Sequence, residues 1–204
     1  MKKCYIICAS SIYGYDLTKI KDGFIIAVDG GYAHLLRANI TPNIIIGDFD
    51  SLGYVPDGTN VISLCTDKDE TDTFVAIEYA REQGYKEIDL IGGSGGRIDH
   101  TFANISLLLH YAKLGLRVRF IAEENIVTVI YNDEITFDST MKGYISVLAC
   151  TDVCSGVDIT DLKYTLKDAT LTSDIPLGCS NEFIAKDSKI SVKNGGLLIT
   201  TELE

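Results

Sequence analysis

The first half of the chain alternates short apolar runs with longer stretches in which apolar residues recur every three or four positions. The short runs are rich in Ile and Val, as buried strands are. They lie at residues 5–9, 23–28, 43–47, 60–64 and 87–93. The longer stretches predict helices over residues 31–39, 72–85 and 99–115. Strands that alternate with helices predict a mainly parallel sheet that helices cover.

The pattern changes after Glu123. Short segments rich in β-branched residues, separated by Asn, Asp, Gly and Ser, continue to the end, and no long helical spacing remains. They lie at residues 125–132, 133–138, 143–150, 168–174, 188–194 and 195–202. The predicted fold class is therefore an α/β N-terminal domain over residues 1–123, followed by an all-β sandwich domain over residues 124–204.

One helix face can be specified residue by residue. The apolar residues of the third predicted helix keep helical spacing, so we expect them to pack against the core. They are Phe102, Ile105, Leu108, Leu109 and Ala112.

Composition and charge narrow the class of protein. The net charge is −11 and no basic stripe is present, so a nucleic-acid partner is not expected. No apolar run approaches the ~20 residues that span a bilayer, so a membrane partner is not expected either. The 6 cysteines form no CxxC pair, which predicts buried free thiols in a cytoplasmic protein.

Acidic and glycine-rich segments follow several of the predicted strands, where parallel sheets bind ligands. Asp29 ends one strand and Asp48 and Asp50 end the next. Asp72 opens a predicted helix, and the glycine-rich turn at residues 92–96 is followed by Arg97 and Asp99.

Asp48 and Asp50 make the sharpest prediction. Side chains two apart on an extended segment point the same way, so the two carboxylates are expected to converge. Two like charges so close are unfavourable unless a cation lies between them or one is protonated. Mg²⁺, which prefers carboxylate, water and phosphate oxygens, is the predicted ligand.

Simpler interpretations of the other residues stay open. Asp29 alone is typical of a turn, and Asp69 and Thr71 are typical helix caps. The glycine-rich turn lacks the Walker sequence and a clean dinucleotide pattern. His34 and His110 lie in predicted helices and are interpreted as structural residues.

Taken in order, these segments resemble the thiamine pyrophosphokinase (thiamin diphosphokinase) family over most of the chain. The resemblance rests on DGG, PNIIIGDFDS, KDETDT, GGRIDHTFAN, LKYTL and CSNEF, which occupy residues 29–31, 42–51, 68–73, 95–104, 162–166 and 179–183. The sequence departs from the family at Tyr32-Ala33, Asp161 and Thr165, so local differences in loop geometry are expected there.

The resemblance implies Mg²⁺-dependent transfer of a pyrophosphoryl group from ATP to the hydroxyl of thiamine, giving thiamine diphosphate and AMP. It also implies a homodimer with its active sites at the subunit interface. Surplus acidic charge suits the cationic thiazolium of thiamine.

The resemblance also implies residue roles. It assigns the metal to Asp48, Asp50 and Asp72, and further active-site acids to Asp29 and Asp99. ATP contacts fall to Arg97 and the glycines Gly92, Gly93, Gly95 and Gly96. Apart from the resemblance, Lys68 is a further candidate for ATP, with a solvated lysine beside the helix start as the alternative. Thiamine contacts fall to Ser180 and Asn181. Because the chain has no Trp, Tyr164 is a separate candidate for ring stacking, with a tyrosine of the sandwich core as the alternative. Whether Asp29 or Asp99 accepts the alcohol proton stays open.

Two rival functions also stay open. A HAD-type phosphatase would use Asp48 as a phosphorylated nucleophile, although Leu52 breaks the pattern of that motif. A non-catalytic module would bind nucleotide or thiamine without producing AMP.

Overall fold

The structure is a computed structural model that describes residues 3–12, 15–20, 22–50, 52–56, 60–65, 67 and 69–203. The chain divides into two compact units. The first contains the residues up to Leu107 together with Val118–Glu124. The second contains Leu108–Arg117 and the chain from Asn125 onwards.

The first unit is built from alternating strands and helices. In chain order the elements from β1 to β6 are β1 (Cys4–Ile7), a 3-10 helix (Leu17–Ile20), β2 (Phe24–Val28), α1 (Gly31–Arg37), β3 (Ile44–Gly47), β4 (Val61–Ser63), α2 (Asp72–Glu82), β5 (Glu87–Ile91), α3 (Ile98–Lys113) and β6 (Arg117–Ala122). All of them belong to the first unit except the end of α3 and the first residue of β6, which lie in the second unit. The sheet order is β6-β5-β1-β2-β3-β4. Strand β1 pairs in parallel with β2 and β5, and β3 pairs in parallel with β2 and β4.

Local sequence explains where the α-helices begin and end. The Thr71 hydroxyl accepts a hydrogen bond from the Phe74 N–H at 3.2 Å, which caps α2 as predicted. Gly84 and Gly115 follow α2 and α3 with φ of 84° and 76°. Glycine takes that left-handed conformation without the steric cost that a Cβ brings, so both helices stop there.

The buried face of α3 differs from the predicted one. Leu108 is buried as expected, but Phe102 is 63% exposed. The polar Asn104 and the aromatic Tyr111 are buried with Leu108 at the same helical spacing. The prediction for Phe102 is wrong because apolar periodicity alone could not recognise that a buried asparagine shares this face.

The second unit is an antiparallel β structure. Its strands are β7 (Asn125–Tyr131), β8 (Glu134–Phe137), β9 (Tyr144–Ala149), β10 (Val153–Thr160), β11 (Leu166–Thr172), β12 (Asn181–Glu182), β13 (Ser188–Asn194) and β14 (Gly196–Glu202). The order β12-β9-β14-β7 forms one layer, and β11-β10-β13-β8 forms a second sheet. The strand pairs among the described residues of this unit are antiparallel.

Alternating residues of the two layers form one core. Strand β13 shows the alternation clearly, with Ile190 and Val192 buried and their neighbours Lys189 and Ser191 partly exposed. Burying each such aliphatic side chain contributes ~1.5–3 kcal/mol. The α/β and β-sandwich fold classes are therefore confirmed, although strands β6, β10 and β12 were not predicted.

The cysteines are all free thiols, and most of them follow the prediction. Cys4, Cys8 and Cys154 are buried, and Cys150 is partly buried. Cys65 and Cys179 are exposed, so the expectation of burial is wrong for these two.

Candidate active site

A cavity of about 540 Å³ lies where the carboxyl ends of four parallel strands meet. The segments that follow β1, β2, β3 and β5 line it, together with the first turns of α2 and α3. This is the edge at which open α/β sheets bind their ligands.

Three carboxylates gather in this cavity. Asp29 follows β2, Asp48 follows β3, and Asp72 is the first residue of α2. One oxygen from each lies within 4.8 Å of the others. All three side chains are partly buried, so water screens their mutual repulsion only in part.

The backbone around Asp29 brings the group together. Asp29 has a φ of 46°, a left-handed conformation that a residue other than glycine rarely adopts. Its N–H donates to the Ile46 carbonyl at 3.1 Å, and its Oδ1 accepts from the Phe49 N–H at 3.2 Å. A Cβ at Gly47 would collide with the Asp29 carboxylate, so glycine is required for this approach.

Asp50 does not join the three carboxylates, although it is among the described residues. Strand β3 ends at Gly47, and Phe49 has a φ of 62°, so the side chains do not alternate as they would on an extended strand. The Asp50 N–H instead donates to Asp48 Oδ1 at 3.1 Å. The expected convergence of Asp48 with Asp50 is thus replaced by that of Asp48 with Asp29 and Asp72, while a ligand role for Asp50 stays a prediction.

Burial and repulsion between carboxylates dominate the electrostatics of Asp29. Burial, a hydrogen bond with Asp72 and the negative charges of Asp72 and Asp48 raise the pKa of Asp29 to about 7. Carboxylate oxygens at this spacing suit a hard divalent cation, which would remove the repulsion. The residues present therefore fit Mg²⁺.

The glycine-rich turn forms another wall of the cavity. Gly92, Gly95 and Gly96 have φ values of 73°, 86° and 75°, conformations that favour glycine. Gly92 and Gly93 line the cavity directly.

Arg97 and Asp99, beside this turn, form an exposed ion pair. Arg97 Nε and Nη2 donate to the two Asp99 oxygens at 3.1 and 2.5 Å. This contact is the main cause that lowers the pKa of Asp99. Arg97 lines the cavity. Lys68, the other predicted cationic contact, lies outside the described residues.

Sequence reasoning gave no role to several residues of the cavity. Cys8 and Ser10 line it from the loop after β1, and Thr73 and Asn104 line it from α2 and α3. Asn104 closes the GGRIDHTFAN motif, which was the one available signal. His100, also in that motif, lines the cavity as well.

The predicted thiamine contacts lie in the second unit. Asn181 is buried, and its side chain accepts from the Tyr164 N–H at 2.9 Å and donates to the Tyr164 carbonyl at 2.7 Å. Tyr164 is 59% exposed, so it is not a core tyrosine. Lys163 Nζ lies 5.5 Å from the centre of the Tyr164 ring. Ser180 is exposed and has a φ of 58°.

The first unit thus defines a class of protein. Clustered carboxylates beside a glycine-rich turn, at the carboxyl edge of a parallel sheet, are characteristic of enzymes that act on phosphorylated ligands with a divalent cation.

Comparison with known proteins identifies the family. Residues 16–120 match the thiamin pyrophosphokinase catalytic domain, and residues 132–197 match the thiamin pyrophosphokinase vitamin B1 binding domain. A thiamine pyrophosphokinase of Bacillus subtilis is 30% identical over 181 residues, which cover 85% of each chain.

Solved structures agree with the sequence matches. The crystal structure of thiamine pyrophosphokinase from Bacillus subtilis covers 100% of both chains, with a TM-score of 0.88 and 28% identity. That of thiamin pyrophosphokinase from Geobacillus thermodenitrificans covers 99% of this chain and 98% of its own, with a TM-score of 0.85 and 28% identity. The chain belongs to the thiamin pyrophosphokinase family and is an enzyme of the thiamine diphosphokinase type.

Proposed function

We propose that the protein transfers a pyrophosphoryl group from ATP to the hydroxyl of thiamine in a Mg²⁺-dependent reaction that gives thiamine diphosphate and AMP. The observation that carries this proposal is the group of Asp29, Asp48 and Asp72 in the cavity at the carboxyl edge of the sheet. Family membership supports it. Neither the phosphatase nor the non-catalytic module gains support from the comparisons.

Asp29, Asp48 and Asp72 would hold the Mg²⁺. When bound, the ion supplies positive charge that neutralises phosphate oxygens and orients the ATP. This assignment adds Asp29 to the predicted ligands. A ligand role for Asp50, which directly follows Phe49, stays part of the proposal.

Arg97 is proposed to bind the phosphates of ATP. A guanidinium carries five N–H donors, and two of them contact Asp99. The remaining donors are available to phosphate without breaking the ion pair. Asp99 would then fix the direction of the guanidinium, and Gly92, Gly93, Gly95 and Gly96 would let the phosphates approach the backbone closely.

Asp29 is a better candidate than Asp99 for accepting the proton of the thiamine hydroxyl. Asp29 lies in the cavity beside Asp48 and Asp72, whereas the carboxylate of Asp99 is held by two hydrogen bonds from Arg97. A carboxylate has two oxygens, so Asp29 can contribute one to the cation site and orient the hydroxyl with the other. Attack on phosphorus depends mainly on this alignment.

Tyr164 is proposed to contact thiamine through its exposed ring. Asn181 would hold the tyrosine backbone in place through its two hydrogen bonds, and Ser180 would offer a hydroxyl nearby. A tyrosine ring face attracts a cation, and thiamine carries one in its thiazolium. The Lys163 ammonium near the ring would have to give way to it.

A homodimer with active sites at the subunit interface, in the cytoplasm, is also proposed. Large apolar side chains lie exposed in the second unit, Leu177 at 66% and Ile175 at 59%, as expected for a surface that a partner covers. No helix among the described residues is long and apolar enough to cross a membrane.

The experiment that tests the reaction is an incubation of the purified protein with thiamine, ATP and MgCl₂, with and without EDTA. Chromatography quantifies AMP and thiamine diphosphate. Equal amounts of both, abolished by EDTA, are expected. Asp48→Asn should reduce the rate about 100-fold, because the cation loses a charged ligand.

Asp69→Asn is the matched control, because Asp69 is an exposed acid outside the cavity. It should keep the wild-type rate. Formation of ADP or free phosphate without AMP, or a phosphorylated form of the protein, would contradict the proposal and favour the phosphatase. Thiamine binding without turnover would favour the binding module.

A further inference from the structure

The glycine-rich turn has a sequence that does not by itself define a shape. Four of its five residues, Gly92 to Gly96, are glycines, and glycine loses more backbone entropy on ordering than any other residue. A turn of this kind positions a ligand well only if its surroundings hold it in one conformation.

The loop after β1 holds the turn from one side. The Ser10 N–H donates to the Gly92 carbonyl at 2.9 Å, and the Ser10 hydroxyl donates to the Gly95 carbonyl at 3.4 Å. The Cys8 N–H donates to the Ile91 carbonyl at 2.8 Å, just before the turn. Because these hydrogen bonds join the two segments, a change in the conformation of the loop would also shift the glycine-rich turn.

His34, on α1, fixes the position of the loop after β1. Its Nε2 lies 3.0 Å from the Ser10 carbonyl and 3.3 Å from the Ala9 carbonyl. Carbonyl oxygens only accept hydrogen bonds, so Nε2 carries the hydrogen and donates it. His34 does not line the cavity itself.

Asn104, on α3, holds the turn from the other side. Its side chain is 6% exposed, and its Nδ2 donates to the Gly93 carbonyl at 2.8 Å. The fit is close, because a Cβ at Gly93 would lie 2.7 Å from Asn104 Nδ2. This hydrogen bond fixes both the Asn104 side chain and the Gly93 carbonyl, because a buried donor or acceptor without a partner costs free energy of folding.

We infer that His34 and Asn104 are positioning residues that set the shape of the glycine-rich turn and thereby the affinity for the phosphoryl donor. Both act through hydrogen bonds to carbonyls, and neither belongs to the three-carboxylate group. The inference rests on the proposed function, in which this turn contacts ATP. It assigns roles to one residue interpreted as structural and to another without any predicted role.

The test measures kcat, the KM for ATP and the KM for thiamine in His34→Ala, Asn104→Leu and the double variant. Asn104→Leu keeps the side-chain size and removes the donor. Loss of one hydrogen bond should raise the KM for ATP about tenfold in Asn104→Leu and about threefold in His34→Ala. The KM for thiamine should stay within about twofold of wild type.

Two further results separate positioning from a general structural role. In the double variant the KM for ATP should rise by less than the product of the two single increases, because both residues act on the same turn. His34→Gln, which keeps a donor on a side chain of similar reach, should recover most of the ATP affinity. A merely structural role would lower the melting temperature and leave both KM values alone.

Ser106→Ala and Arg37→Ala are the controls on the same two helices. Both residues are exposed, and the Ser106 hydroxyl donates to the Phe102 carbonyl, away from the turn. A wild-type protein that makes no AMP would overturn the proposed function and this inference with it. An active wild type whose variants keep the KM for ATP would overturn this inference alone.

Discussion

At the scale of single residues, Asp29 combines a left-handed backbone with a carboxylate whose pKa is far above its ordinary range. The pKa rises from 3.8 to about 7 because the side chain is partly buried and faces Asp72 and Asp48. Strain and like-charge repulsion are both costs to folding, and sites that bind charged ligands commonly retain them.

The stability of the metal-free protein should therefore depend on pH through Asp29. Between its ordinary pKa and about 7, folded Asp29 keeps a proton that the unfolded chain has lost. The stabilisation that comes from the proton on Asp29 is fully present below the ordinary pKa of an aspartate. It is lost as the pH rises through the pKa of Asp29 in the folded protein, about 7. Melting temperatures in EDTA should thus fall from about pH 5 to about pH 8 more steeply in wild type than in Asp29→Asn.

Added Mg²⁺ provides the control for that measurement. It should raise the melting temperature of wild type more at the higher pH, where the carboxylates are charged, and should do so less for Asp29→Asn. Parallel pH profiles of the two proteins would show that Asp29 does not titrate in this window.

Gly47→Ala should test whether the position of the Asp29 carboxylate matters while strand β3 stays intact. The new Cβ would meet the Asp29 carboxylate, so the strand can stay intact only if that carboxylate moves. We expect the Gly47→Ala protein to lose activity about tenfold, and we expect Mg²⁺ to raise its melting temperature less than that of wild type.

Gly53→Ala is the comparison for this variant. A Cβ there meets nothing within 4 Å, although its φ of 71° makes alanine strained. It should lower the free energy of unfolding by ~1 kcal/mol and keep the Mg²⁺ response. A Gly47→Ala protein that keeps full activity would mean that the position of Asp29 is not critical.

At the scale of elements, the cap of α2 links helix stability to the site. Thr71 caps the helix and Asp72 is its first residue. Thr71→Ala should lower the free energy of unfolding by ~1 kcal/mol and reduce activity, because the first turn that carries Asp72 loosens. Urea unfolding measures the stability change.

Thr71→Ser keeps the capping oxygen and serves as the control. It should retain most of the stability and activity of wild type. Equal losses in the serine and alanine variants would assign the effect to the threonine methyl group instead of the cap.

At the scale of the whole molecule, the proposed homodimer predicts complementation. If each active site uses the carboxylates of one subunit and Tyr164 of the other, a mixed dimer of Asp48→Asn and Tyr164→Ala subunits has one intact site. Random mixing should then restore about a quarter of the wild-type activity.

Co-expression of the two variants with different tags allows the mixed dimer to be purified and assayed. Each variant alone gives the baseline. A mixture no more active than the average of its components would contradict the shared site, and a monomer by light scattering would contradict the dimer.

Sequence by itself determined most of the elements and the family. Most of the Ile- and Val-rich runs and the helical segments reflect local preferences that tertiary structure preserved. The domain boundary after Glu123 stays a prediction. The acids that follow β2 and β3, and Asp72 at the start of α2, were found because topology brings the ends of parallel strands together. The roles assigned to them remain predictions.

Tertiary structure alone decided which of these acids meet. The turn at Phe49 keeps Asp50 apart from Asp48. The left-handed backbone at Asp29 instead brings the Asp29 carboxylate next to Asp48, although the two residues are nineteen positions apart in the sequence. Asp89, an acid within the buried strand β5, is paired there with Arg119 and Lys3 at 2.6 and 2.9 Å. Local spacing specifies strands and helices, whereas such pairings depend on chain segments that meet only in the folded protein.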